Sequence, residues 1–150
     1  EKTPIVTTDK TPFVIGKAEV YMEKMAGTKN SVGIIASGTI LVEALKAGKL
    51  LNEKGIGASV MNMATVKPLD EKAVLAFAES HDFLITVEEH QAAGGMGSAV
   101  AEYLGEVRPT KVIRQGVRDR FGQSGTQEEL FAEYGLDAAG IVKRVTQEIG

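Results

Sequence analysis

Apolar positions along this chain follow two periods that take turns. Ser31 to Ser37 (SVGIIAS) is a short, nearly continuous apolar run with β-branched residues, which predicts a buried strand. Ile40, Leu41, Ala44, Leu45, Gly48 and Leu51 then recur at helical spacing, and Gly55 stands where a glycine commonly ends a helix. Gly57 to Met63 (GASVMNM) predicts a second strand. Pro68 opens the next predicted helix, with Asp70 and Glu71 in a first turn where acidic charge meets the positive end of the helix dipole. Val74, Phe77 and Ala78 form its inner face. Phe83 to Val87 (FLITV) reads as a third strand, ending in Glu88, Glu89 and His90. Gly94, Gly95 and Gly97 separate it from an Ala/Val/Leu helix over Ser98 to Gly105. Lys111 to Gly116 is a further strand. Thr126 and Glu129 form a capping box for a short helix ending at Gly135. Asp137 caps a last helix with Ile141, Val142, Val145 and Ile149 on one face.

Three successive strand–helix alternations imply βαβ crossovers and a largely parallel sheet with helices on both faces. Continuous apolar strands agree, because such a sheet is covered on both sides. Phe13 to Met22 is different: apolar and polar residues partly alternate, which predicts a half-buried strand outside the regular order. Residues 1–12, with Pro4, Pro12 and four Thr, read as a linker leading into a domain over residues 13–150.

The length of 150 residues suits one domain, and 43% hydrophobic with 25% charged residues suits a globular one. A net charge of -3 argues against an electrostatic nucleic-acid binder. The absence of Cys excludes disulfides, a thiol nucleophile and thiolate metal sites, and two His exclude a three-His zinc site. No apolar run approaches the roughly 18 residues of a membrane span. The chain opens Glu1-Lys2-Thr3, without an apolar leader and without Met, as a processed or excised piece of a longer cytoplasmic protein would.

Ligands of open α/β sheets bind beyond the carboxyl ends of strands, and three such ends are polar here. Ser37-Gly38-Thr39 is either an anion-holding turn or a helix start capped by Ser37 or Thr39. Glu88-Glu89-His90 followed by Gly95-Met96-Gly97-Ser98 offers two carboxylates beside an imidazole and a glycine turn at a helix start. Its alternative is a structural turn with His90 on a carboxylate or at an interface. The full dinucleotide fingerprint is missing, since Val100 stands where the third glycine belongs. Arg118-Asp119-Arg120 could fork a phosphate, or hold a loop as surface ion pairs with Phe121 as a hydrophobic anchor. His81 reads as a solvated loop residue. These residues do not assemble a nucleophile with its base, nor a tetrahedral metal site. The chain could still be an enzyme in its own right through Glu88, Glu89 and His90, or a stand-alone anion- or nucleotide-binding module.

Several segments taken together are more telling. Gly16-Lys17-Ala18, Ser37-Gly38-Thr39, Glu43-Ala44-Leu45, Lys67-Pro68-Leu69-Asp70, Glu88-Glu89-His90, Gly94 to Val100, Asp119 to Gly125 and Tyr134-Gly135-Leu136 occur in order. From Ile15 onward the sequence resembles the C-terminal domain of the transketolase family of thiamine-diphosphate enzymes. Asp119-Arg120-Phe121 with Ser124-Gly125 resembles transketolase itself, particularly the short form whose catalytic half is split over two chains. The related 1-deoxyxylulose-5-phosphate synthases usually show His-Gly at Ser124-Gly125, and E1 β subunits of 2-oxo-acid dehydrogenases share the glycine-rich segment.

The resemblance implies a three-layer α/β/α fold with a mixed five-stranded sheet, mostly parallel with the first strand antiparallel. It implies a non-catalytic domain of an enzyme that moves a two-carbon ketol unit between sugar phosphates in the pentose phosphate pathway. Thiamine diphosphate and Mg2+ (or Ca2+) would sit in separate diphosphate- and pyrimidine-binding domains, across a homodimer interface, and residues 1–12 would follow the pyrimidine-binding domain. The resemblance places no catalytic, cofactor or metal residue in this chain, which alone would be inactive, and no nucleic-acid or membrane partner. It leaves Ser37, Gly38, Thr39, Gly95, Met96, Gly97 and Ser98 as candidates for a regulatory anion. Glu88, Glu89, His90, Arg118, Asp119, Arg120 and Phe121 remain as structural or interface residues.

Overall fold

The computed structural model describes residues 4–150; the first three residues of the lead-in lie outside the described residues. Five strands form one sheet: β1 (Glu19–Met22), β2 (Ser31–Ala36), β3 (Gly57–Asn62), β4 (Phe83–Gln91) and β5 (Val112–Val117). Five helices accompany them: α1 (Leu41–Glu53), α2 (Glu71–Ser80), α3 (Met96–Val107), α4 (Gln127–Glu133) and α5 (Ala138–Ile149), with a 3-10 turn over Gly38–Ile40. The spatial order is β1-β3-β2-β4-β5. Strands β2, β3, β4 and β5 are mutually parallel, and β1 pairs antiparallel with β3.

The sheet separates two apolar layers. Val32, Ile34, Val60, Ile85 and Val87 point to one face and meet α1 and α5 through Leu41, Ala44, Leu51, Ile141 and Val145. Ile35, Met61 and Leu84 point to the other, under Val74, Phe77 and Ala78 of α2 and Val100 and Leu104 of α3. Every residue of β2 is buried, as a central parallel strand requires.

Four boundaries differ from the sequence reading. The strand expected from Phe13 begins only at Glu19: β3 ends at Asn62, the partner of Glu19, so earlier residues have no strand to pair with. Gly16, at φ 79°, turns the chain there. Pro68 does not open α2; its peptide bond with Lys67 is cis, and Asp70 is the N-cap, its carboxylate accepting the Ala73 amide at 3.2 Å. Helix α3 starts at Met96, not Ser98. Strand β4 continues through Gln91, so Glu88, Glu89 and His90 are strand residues, not loop residues. The capping box of Thr126 with Glu129 and the Asp137 cap form as expected.

Candidate functional site

The direction in which successive crossovers move across the sheet reverses between the parallel neighbours β2 and β4. From β2 the chain crosses through α1 to β3 on one side; from β4 it crosses through α3 to β5 on the other. The loops after β2 and β4 therefore diverge, which opens a crevice at the carboxyl edge where such sheets hold ligands. A cleft of about 380 Å3 lies there, lined by Ser37, Val66, Glu88, Glu89, His90 and Gly95 among others.

Side chains of the β4 extension alternate between two tasks. Glu88, only 5% exposed, points under α3. Its Oε2 accepts the Met96 amide at 2.6 Å and its Oε1 accepts the Gly97 amide at 2.8 Å. The remaining early amides are also taken, since those of Ser98 and Ala99 donate to the Gly95 carbonyl. His90 Nε2 lies 3.3 Å from Glu88 Oε2. The helix N-terminus that looked ready for an external anion thus holds the chain's own carboxylate, where the dipole favours it. A free anion at Gly95–Ser98 would have to displace Glu88. The glycines are dictated by this approach: a Cβ on Gly95 would stand 2.2 Å from Glu88 Oε2, and one on Gly97 2.3 Å from Thr86 Oγ1.

Glu89 and Gln91 reach the flanking loops. Thr39 donates to Glu89 Oε1 at 2.6 Å and accepts from Gln127 Nε2 at 3.3 Å, so the loop after β2, β4 and the start of α4 meet at one hydroxyl. Gln91 Oε1 accepts the Asp119 amide at 3.0 Å. Ser37 takes the N-cap position of the 3-10 turn in an extended conformation but without a side-chain cap hydrogen bond, and Thr39 does not cap α1, whose N-cap is Ile40. Gly38, at φ 72°, makes the turn.

In the segment after β5 the two arginines contact their own domain. Arg118 donates to the Arg114 carbonyl (3.4 Å) and Arg120 lies 4.0 Å from Glu133. Asp119 holds a φ of 45°. Phe121 does not anchor the loop to this domain; it is 97% exposed. Sequence reasoning missed Ser98 and Arg114 as a pair: Arg114 Nη1 donates to Ser98 Oγ at 3.0 Å, and Ser98 accepts the Gly94 amide at 2.9 Å. Only the β4–β5 pairing of Thr86 with Arg114 brings them together. His81 lies on the opposite edge and is half-buried, not solvated. Its Nδ1 faces the Phe77 carbonyl at 2.8 Å and its Nε2 the Ser59 hydroxyl at 2.9 Å.

Fold and site together define a three-layer α/β domain whose switch-point polar residues serve its own loops. Residues 21–141 match the family described as "Transketolase, C-terminal domain", and the chain belongs to that family. It is 41% identical over 138 residues to the 6-deoxy-6-sulfo-D-fructose transketolase subunit of Clostridium sp. strain MSTE9, covering 92% of this chain and 41% of that protein. It is 42% identical over 136 residues to the 1-deoxy-D-xylulose-5-phosphate synthase of Vibrio cholerae, covering 90% of this chain and 21% of the enzyme. A solved structure titled "Split gene transketolase, inactive beta4 tetramer" superposes with a TM-score of 0.88 at 38% identity, over 97% of this chain and 46% of the other. The chain therefore spans less than half the length of each of these relatives.

At the α3 N-terminus the Met96 and Gly97 amides are filled by Glu88, and among the described residues no three His, Cys, Asp or Glu side chains gather to hold a metal ion. No helix among the described residues is long and apolar enough to cross a membrane.

Proposed function

We propose that this chain supplies the C-terminal domain of a transketolase that transfers a two-carbon ketol unit from a ketose phosphate to an aldose phosphate. Thiamine diphosphate and Mg2+ (or Ca2+) are held elsewhere in the assembled enzyme, by its diphosphate- and pyrimidine-binding parts. Residues 1–12 lead in from the pyrimidine-binding part, and the domain contributes to a homodimer.

One observation carries this reading: likeness to a transketolase subunit runs over 92% of this chain yet only 41% of that subunit. Ser124-Gly125 in the loop after β5 favours transketolase over the synthase. The internal Glu88–α3 pairing supports a domain that stabilises and assembles and does not itself turn over substrate.

The test is calorimetric titration with thiamine diphosphate and Mg2+, run on the 150-residue chain and on its mixture with the diphosphate- and pyrimidine-binding parts. The chain alone is expected to give no heat up to millimolar cofactor and no ketol transfer, and the mixture to give both. Micromolar saturable binding by the chain alone overturns the reading. Formation of 1-deoxyxylulose 5-phosphate by the mixture, in place of ketol transfer, moves the chain to the synthase.

A further inference from the structure

The sheet has two edges of unequal length. β1, four residues long, lies at one; β5, six residues long, lies at the other and pairs only with β4. Two hydrogen bonds show which way the β5 backbone faces. The Leu84 amide donates to the Lys111 carbonyl at 2.9 Å, and the Ala92 amide to the Val117 carbonyl at 2.9 Å. Odd-numbered residues of this segment therefore turn their backbone groups toward β4. By the two-residue alternation of a strand, Val112 and Arg114 turn theirs outward. The Arg114 carbonyl does face out, since Arg118 Nη2 reaches it at 3.4 Å. A row of unpaired edge groups is a template for a further strand.

A groove of about 730 Å3 follows this edge. Its lining runs from Lys111 to Asp119, past both ends of β5, whose six residues extend roughly 20 Å. Cations stand on both faces of the sheet here. On one face Arg144 of α5 lines the groove, and Lys111 pairs with Glu148 of the same helix. On the other face Arg114 reaches Ser98 of α3 at 3.0 Å. Among the described residues, no acidic side chain lies within ion-pair distance of Arg114, Arg118 or Arg144, and Asp119 is the one lining carboxylate without a cation.

We infer that the β5 edge takes up an extended acidic segment of a partner protein as a sixth strand. The segment's main chain pairs with Val112 and Arg114, and its carboxylates meet Arg114, Arg118 and Arg144. Charge, length and backbone select this occupant together. A second copy of this chain would set the same guanidinium groups against one another. A compact anion such as phosphate is held by donors converging on one point, whereas these are spread along a strand and over both of its faces. An extended segment sends successive side chains to alternate faces, so acidic residues along it reach both sets of cations. Its main chain also supplies the hydrogen-bond partners that the edge lacks. Recognition of this kind needs neither thiamine diphosphate nor turnover.

Fluorescence anisotropy of the 150-residue chain with a labelled octapeptide of valine and glutamate tests this. Saturable binding of one peptide per chain is expected. Replacing the peptide's glutamates by glutamine, or methylating its backbone amides with the charges kept, is expected to weaken binding roughly tenfold each. Arg144→Gln and Arg118→Gln are each expected to weaken it at least threefold with an unchanged melting temperature. Lys54→Gln, at the end of α1 and outside the groove, is expected to leave it alone. A methylated peptide that binds as well as its parent shows charge attraction without strand pairing and overturns the inference. Inorganic phosphate that displaces the peptide at micromolar concentration assigns the groove to a compact anion, and a dimer in sedimentation that the peptide splits assigns the edge to a second copy. Either result, or no binding of the octapeptide, overturns it as well.

Discussion

Glu88 is a buried carboxylate with no Lys or Arg paired to it among the described residues, and the structure shows what makes this tolerable. Two backbone amides, the positive end of α3 and the His90 ring surround it. Removing the charge while keeping the shape, as in Glu88→Gln, is expected to cost about 1–2 kcal/mol, the usual worth of a helix cap, in urea unfolding. Gly97→Val forces a side chain onto Thr86 Oγ1 and against Arg114 Cγ, 2.9 Å from the new Cβ. A penalty of about 1–3 kcal/mol is expected, typical of overpacking, and thermal unfolding measures it. His81 sets a pH dependence. Burial pushes its pKa below the ordinary value and Lys24 adds to this; the Phe77 carbonyl, Glu23 and Asp82 pull the other way without offsetting it. The unfolded chain therefore takes up this proton first as pH falls. The contribution of neutral His81 is full above about pH 6.5, its unfolded value, and is lost as pH drops through the folded value. Urea midpoints at pH 7.5 and 5.5 are expected to differ less in His81→Phe than in the parent chain.

At the level of elements, Asp70 is a joint. It caps α2 through Ala73 and holds the segment just ahead of β1 through the Ala18 amide, with Lys17 at 3.8 Å. Burial raises its pKa, but the two amides, Lys17 and Lys72 together outweigh that and leave it lowered. Its contribution is thus present above the unfolded carboxylate range and is lost as pH falls through the folded value. Asp70→Ala is expected to cost about 1–2 kcal/mol by denaturant titration at pH 7. Elements with local signals were legible in the sequence: α1 through its 3.6 period and Gly55, α4 through Thr126 and Glu129, α5 through Asp137. The β4 extension was not, because Glu88, Glu89 and His90 are polar and are strand only through partners distant in sequence: the amides of α3, Thr39 and β5. Phe13 to Ala18 failed the other way, with an alternation that β3 is too short to pair.

Seen as a whole molecule, the layered α/β/α arrangement was readable because each strand–helix alternation demands a crossover. The antiparallel first strand was readable only through the ordered family motifs. The site was half legible: the right residues stood out at the right sheet edge, but their partners were fixed by the fold. That Glu88 would occupy the α3 N-terminus requires knowing where β4 ends and how closely Gly95 and Gly97 let it approach. The overhang of β4 also implies a clock. Its pairing with β2 stops at Val87, and the next register with β5 comes only at Gln91 with Val117. The amides of Ile85 to Val87, in the sheet interior, are expected to exchange with deuterium only when the entire domain opens. Those of Glu89 and His90 lie past the last β2 partner and are expected to exchange through local fraying, orders of magnitude sooner. The carboxyl end of β4 would then breathe far faster than the buried part of the same strand, so one strand would carry both the slow and the fast limits of exchange.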